Sequence, residues 1–447
     1  MDSTDGQIIR RLYISDENKN VIRKVTVPGS KSITNRALLL AALSDKICTL
    51  EGALFSDDSR YFAKALMNLG FHVELDEENK KAIVYGNNGV IPEKQGKIYV
   101  GSAGTAARFL TAMLGFSDGE YVIDASEQMK KRPMNELFTV LEGLGARIDY
   151  LEEKGCLPVK IRGIFADTTE GMDENEVVDI SLDISKSTQF LSAILMTASM
   201  IKKDVFVHIT SSKKNGSYIE ITRKVMSDFG MPSEFDGETY KVPYCDETDD
   251  EKEFAYHIEP DVSAASYFYA AAMICGLSVI VNGVYPDSMQ GDMKFLKLLE
   301  SMGGRCFDDN NGIMFVGPAD GEYNGVDVYM NDFSDQALTL AVVAAYAKTP
   351  TRITGIGHIR GQESDRIAAI VNELNRAGIK CNELDDGVEI IPGTPCGAGI
   401  ETYEDHRVAM AFSLLGLKTD GIIIKNPSCT RKTFEDYFEV LEGLYDY

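Results

Sequence analysis

The stretch LFTVLEGLG (137–145), followed by ARIDY (146–150) and LPVKIR (157–162), is one copy of a pattern that runs through the whole chain. Leu137, Val140, Leu141 and Leu144 stand at i, i+3, i+4 and i+7, which gives a helix one apolar face. Gly145 follows where a helix end favours positive φ. The two segments after it read as strands around a turn. Similar endings fall at Leu69-Gly70, Phe229-Gly230, Gly303-Gly304 and Ala377-Gly378, at intervals of roughly 75 residues. The same apolar spacing recurs at Ile367, Ile370, Val371 and Leu374. It recurs again at Phe434, Tyr437, Phe438 and Leu441, in a last helix that closes the chain at Leu444.

A second helix recurs with this period, over 32–43, 104–114, 188–199, 263–275, 335–347 and 406–417. These segments are rich in alanine and leucine and poor in charge, so they predict helices buried on every side. Each repeat is thus an α/β unit of one surface helix, one buried helix and several strands. Six such units divide naturally into two groups of three.

Each buried helix opens on polar residues: Lys31-Ser32 with Arg36, Gly104-Thr105 with Arg108, Ser187-Thr188-Gln189, Asp261 with Ser263, Ser334-Asp335, and Asp405-His406-Arg407. N-capping explains the Ser, Thr and Asp. It does not explain the arginines, because a cation at a helix N-terminus opposes the helix dipole by about 0.3–1 kcal/mol. An anion bound at the helix start would remove that conflict. If the buried helices of each lobe run side by side, their openings converge, and two lobes face each other across an anion-binding cleft.

Composition agrees with small anions as ligands. A net charge of -24 argues against nucleic acid. No apolar run is long enough to span a membrane, and residues 1–11 lack a signal-peptide core. Eight scattered cysteines without a CxxC pair suggest neither a disulfide framework nor a zinc site. They point to a reducing cytoplasm. The five histidines form no ligand pair, so no metal is expected.

Among single motifs, PGSKSITNR (28–36) is the most informative, since Lys31, Ser32 and Arg36 project from one first turn toward one anion. It is not a phosphate-binding P-loop, because Ser30 and Val25 occupy the positions that need glycine. In KKRP (130–133) Pro133 suits the first turn of a helix, and Arg132 lies nearest its start. In ESDR (363–366), which opens another helix, Glu363 and Arg366 stand three apart and could pair on one face. TRKT (430–433) reads as a cationic start to the last helix.

Taken together, PGSKSITNRALLLAAL, SAGTAARF, KKRPM, STQFLSAILMTA, PDVSAASYF, SMQGD, ESDR, TYEDHRVAMAFSL and CTRKTFEDYF resemble the 5-enolpyruvylshikimate-3-phosphate synthase family, from about Val25 to the C-terminus. The resemblance implies a two-lobed enolpyruvyl transferase fold of six βαβαββ repeats. One lobe comprises 1–28 and 259–447 and closes through the N-terminal strand; the other comprises 29–258, and the active site lies between them. It implies transfer of the enolpyruvyl group of phosphoenolpyruvate (PEP) to the 5-hydroxyl of shikimate 3-phosphate, without metal or organic cofactor; two lobes with an internal cleft default to a monomer, and Gly104 would leave room for glyphosate in the PEP position.

By motif, Lys31, Ser32, Arg36, Ser187, Thr188, Gln189, Tyr218 and Asp335 are implied to hold shikimate 3-phosphate. Lys31, Gly104, Arg132, Gln189, Arg366, Arg407 and Lys432 are implied to hold PEP, with Asp335 as base, Glu363 as acid and Lys31 reaching both substrates. Two positions depart from the family. Gln362 stands where a Lys is usual, with Arg360 as a nearby cation that could compensate. Asn215 stands in place of a substrate-contacting Ser, and no role is carried to it. The sister family that uses UDP-N-acetylglucosamine usually carries a reactive Cys on a loop; here no Cys lies between Cys48 and Cys156.

Overall fold

The computed structural model describes residues 6–13, 15, 20–166, 177–244 and 251–445. The chain forms two compact units, one of residues 29–258 and one of 1–28 with 259–447.

The unit 29–258 contains three sheets of one design. Strand Gln95–Tyr99 pairs in parallel with Glu120–Asp124, which pairs antiparallel with Val159–Arg162, which pairs with Arg147–Tyr150. A parallel pair needs a long crossover, and the buried helix Gly104–Gly115 supplies it. The surface helix Asn135–Gly143 then leads into the antiparallel pair. Strands Val178–Leu182, Val205–Ile209, Thr239–Val242 and Glu234–Phe235 repeat this order around helices Gln189–Thr197 and Ser217–Asp228.

The remaining sheets show where the repeat is rewired. Strand Ile22–Val25 precedes helix Lys31–Leu43 in sequence, yet it pairs in parallel with Ser278–Val281. Strand Glu253–His257 precedes helix Val262–Cys275, yet it pairs with Ile47–Glu51. The first sheet of each unit is therefore completed by a strand from the far side of a crossing. The last repeat is reduced to Gly399–Ile400 and Ile423–Ile424, closed antiparallel by Gln7–Ile8.

The central helices are buried as their composition predicts. In Lys31–Leu43 every residue from Ile33 onward is buried, and all nine residues of Ala337–Ala345 are. The three central helices of each unit touch one another. A fully buried Leu contributes roughly 1.5–3 kcal/mol, so these bundles dominate the two cores. The glycines that end the surface helices, Gly70, Gly145, Gly230, Gly303 and Gly378, have φ between +75° and +125°. Among the described residues, no helix is long and apolar enough to cross a membrane.

Candidate active site

Because the central helices pack as triads, their polar starts meet within each unit. In the unit 29–258, Asn35 Nδ2 donates to Thr105 Oγ1 at 2.6 Å and joins two of these starts. Arg108 Nη1 donates to Gln189 Oε1 at 2.7 Å, which turns the amide nitrogen of Gln189 away from Arg108. Lys31 stands in the first turn of its helix, 3.4 Å from Asp58. Ser187, Thr188 and Tyr218 are partly exposed close by in the fold, at the starts of helices Gln189–Thr197 and Ser217–Asp228.

Gly104 lies between two guanidiniums. A Cβ there would come within 2.6 Å of Arg132 Nη1 and 2.7 Å of Arg108 Nη1. Among the described residues, neither Arg36 nor Arg108 forms an ion pair with a carboxylate. Burial pushes the Arg36 guanidinium down to about 10. Burial, and then repulsion from Arg132, holds Arg108 well below the usual arginine range. Buried cations lacking a carboxylate are costly, and an anion at this place would offset the cost.

Arg36 already has several partners within the protein. It is fully buried. Its Nε donates to Thr222 Oγ1 at 2.8 Å, and its terminal nitrogens reach the Ser32 carbonyl, the Tyr218 carbonyl and Ser192 Oγ. In this structure it ties the start of the Tyr218 helix to its own. In the KKRP stretch, Lys130 is held by Glu152 at 2.8 Å and Glu127 at 3.1 Å. Pro133 lies outside the following helix, which begins at Asn135 with Met134 as cap. Asn215 accepts from the Gly216 amide and donates to Glu220.

In the other unit, carboxylates and cations alternate. Asp335 Oδ1 accepts from Arg366 Nη1 at 2.9 Å, and Oδ2 accepts from Arg407 Nη2 at 3.2 Å. Arg366 also donates through Nε to Asp405 Oδ2 at 2.8 Å. Glu363 lies 3.1 Å from Lys432 Nζ and 2.8 Å from His406 Nδ1. Burial works to lower the Arg366 pKa, but Asp405 and Asp335 outweigh it and hold the guanidinium above its usual range. The cluster sets three carboxylates (Asp335, Glu363, Asp405) against three cations (Arg366, Arg407, Lys432), so it is close to neutral before any substrate arrives.

Several local expectations are corrected here. Glu363 pairs with Lys432 and His406, not with Arg366, because Asp365 caps the helix and Glu363 falls outside it. Lys432 ends a short 3-10 helix, Pro427–Lys432, and the last α-helix begins only at Tyr437. Asp335 lies in a single 3-10 turn, Ser334–Gln336, ahead of helix Ala337–Ala345. Arg360 is already engaged by Glu383 at 2.6 Å and Asp365 at 3.2 Å, so it is not a spare cation beside Gln362. The Gln362 side-chain oxygen instead accepts from Arg366 Nη1.

Sequence reasoning missed three participants. Asp405 looked like a helix cap, which it is (it accepts from the Arg407 amide at 2.9 Å), but it also holds Arg366. Asp58, next to Lys31, carried no signal. Asp292, in the SMQGD stretch, accepts from Ser263 Oγ at 2.7 Å, and burial followed by the charge of Asp335 raises its pKa. Glu363, Asp405 and His406 bring ligand atoms within 4.8 Å of one another. Lys432 and Arg366 already neutralise the two carboxylates, so these residues do not fit a divalent cation.

Comparison with known proteins places this arrangement in a class. The fold is shared with an EPSP synthase from Acinetobacter baumannii (TM-score 0.77, 23% identity, 98% of each chain covered). It is also shared with NikO, an enolpyruvyl transferase of Streptomyces tendae (TM-score 0.69, 17% identity, 97% of this chain and 95% of that one). The fold is therefore that of the enolpyruvyl transferases. The family model for EPSP synthase (3-phosphoshikimate 1-carboxyvinyltransferase) matches residues 16–441, and the chain belongs to that family. The 3-phosphoshikimate 1-carboxyvinyltransferase of Trichormus variabilis is 42% identical over 430 residues, covering 94% of this chain and 96% of that one. The chloroplastic enzyme of Arabidopsis thaliana is 38% identical over 443 residues, covering 94% and 82%.

Proposed function

We propose that the protein transfers the enolpyruvyl group of PEP to the 5-hydroxyl of shikimate 3-phosphate, releasing phosphate, and that both sets of residues engage one pair of substrates. The observation that carries this reading is the clamp of Asp335 between Arg366 and Arg407, beside Glu363 on Lys432. The reaction needs those parts: guanidinium forks for a phosphate and a carboxylate, and two carboxyl groups to take and give a proton.

Lys31, Ser32, Arg36, Ser187, Thr188, Gln189 and Tyr218 hold shikimate 3-phosphate, and Asp335 faces its 5-hydroxyl. Gly104, Arg132, Arg366, Arg407, Lys432 and Lys31 hold PEP. Two unit charges of like sign at about 4 Å repel by about 4 kcal/mol at an effective dielectric near 20. The near-neutral Asp335 cluster adds little net attraction, so Arg108, buried without a carboxylate ion pair among the described residues, supplies positive charge beside Gly104. When PEP takes over Arg366 and Arg407, those two guanidiniums release the Asp335 carboxylate toward the 5-hydroxyl. It then removes the proton of the 5-hydroxyl as the oxygen bonds to C2 of PEP. Glu363 takes a proton from Lys432, 3.1 Å away, and passes it to the methylene carbon. The tetrahedral adduct loses phosphate, the Glu363 carboxylate takes a proton back from the new methyl group, and the vinyl ether forms.

The test is phosphate release from purified protein given shikimate 3-phosphate and PEP, together and singly. Release only with the pair is expected. Release with UDP-N-acetylglucosamine and PEP alone would replace this acceptor with the other.

Two substitutions probe the PEP residues. Gly104→Ala pushes a methyl group against Arg132 and Arg108. It should raise KM for PEP several-fold, and it should weaken inhibition by glyphosate more than that if glyphosate occupies the same place. Equal inhibition of both forms would separate the two ligands. Gln362→Lys puts an ammonium beside Arg366 in place of a neutral acceptor. Phosphosubstrate affinity should rise several-fold, most at low salt. Unchanged affinity in calorimetric titration would show that residue 362 does not meet the substrate.

A further inference from the structure

Glu373 is fully buried and belongs to neither set of candidate site residues. Its carboxylate takes the Glu401 amide at 3.0 Å and the Tyr403 hydroxyl at 2.6 Å, and it pairs with Arg376 at 2.9 Å. The segment it grips is unusual. Tyr403 and Glu404 are consecutive non-glycine residues in the left-handed region, with φ of +55° and +58°. Such residues persist only where their surroundings hold them. The next three residues are Asp405, His406 and Arg407. One turn bond, from the Asp405 amide to the Thr402 carbonyl at 2.8 Å, closes the segment.

Arg366 and Glu373 stand at i and i+7 of helix Arg366–Arg376, hence on one face. Arg366 holds Asp405, and Glu373 holds residues 401 and 403. One helix therefore grips the strained turn at both ends. We infer that Glu373 is a positioning residue, whose carboxylate locks the left-handed Tyr403–Glu404 turn and so aims Arg407 at PEP. This rests on the assignment of Arg407 to PEP in the proposed function.

The experiment compares wild type, Glu373→Gln, Tyr403→Phe and the double variant Glu373→Gln with Glu404→Gly in steady-state phosphate release. Hydrogen exchange over residues 401–407 is followed in parallel. Glu373→Gln should raise KM for PEP at least tenfold with a smaller change in kcat, and should speed exchange in the turn. Tyr403→Phe, which leaves the buried charge paired with Arg376, should show the same pattern more weakly. It carries the test if Glu373→Gln does not fold. Glu404→Gly should recover part of the lost PEP affinity in the double variant, because glycine adopts this φ without strain. A purely structural role predicts lower Tm with unchanged KM and no recovery by glycine, and that result would overturn the inference. Inactivity of the wild type itself would instead remove the proposed function, whatever the turn does in exchange.

Discussion

Asp335→Asn is expected to lower kcat for phosphate release by about 10³-fold, within the range that loss of a general base produces. The more telling expectation concerns binding. In the wild type, Asp335 pairs with Arg366 and Arg407, at 2.9 and 3.2 Å, the two arginines we propose for PEP. Asparagine keeps the shape and can still accept a hydrogen bond, but it removes the competing charge. PEP affinity, measured by calorimetry with shikimate 3-phosphate present, should therefore hold or tighten while turnover collapses. A kcat within tenfold of wild type would move the base to another group. A collapse of PEP affinity together with kcat would mean that Asp335 orders the arginines more than it competes for them.

Arg366→Met is expected to have the largest effect on stability. Its guanidinium is almost fully enclosed between Asp405, which is completely buried, and Asp335. Removing one partner of a buried pair leaves the other charge uncompensated, at a cost of about 3–5 kcal/mol. In a chain of this size that lowers Tm by about 3–5 °C. The pH dependence follows from Asp405. Burial works to raise its pKa, but Arg366 outweighs burial and holds it below the usual carboxyl range. In the wild type its contribution is thus fully present above the unfolded carboxyl pKa, near ~3.9, and is lost only as pH falls through the lower folded value. Without Arg366, burial wins and the folded pKa rises above the unfolded one. The variant then gains relative stability as pH falls, so the Tm gap should narrow toward pH 4. A gap that stays constant from pH 8 to pH 4 would show that Asp405 carries no charge penalty in the variant. A loss of activity with no loss of Tm would make Arg366 a ligand only.

The helices were legible because their signals are local. A period of 3.6 in Leu137, Val140, Leu141 and Leu144 needs only neighbours in sequence, as does Gly145 at a helix end. The all-apolar helices around Leu38–Leu40 and Ala341–Ala345 declared their burial through composition, and their packing in triads is what that burial requires. The helix starts around Lys31, Gly104 and Arg407 stood out because cations there oppose the helix dipole.

What the sequence concealed is the pairing. Glu363 and Arg366 are spaced to pair on a helix, but the cap at Asp365 places Glu363 before the first turn, where Lys432 and His406 meet it. Arg36 reads from the sequence as a group facing an anion; that it also bonds Thr222, Ser192 and the Tyr218 carbonyl, all far along the chain, left no local mark. Asp58 and Glu373 look like ordinary acids on amphipathic helices; only contacts with distant segments give them partners. The exchange of strands Ile22–Val25 and Glu253–His257 likewise leaves no local mark. The sequence by itself determined the repeat, the buried helices and the residue types gathered at their starts, because periodicity, capping and burial act over a few residues. Only the tertiary structure decided which carboxylate meets which cation and which strand completes which sheet, because those energies depend on distance in space between groups far apart in the chain.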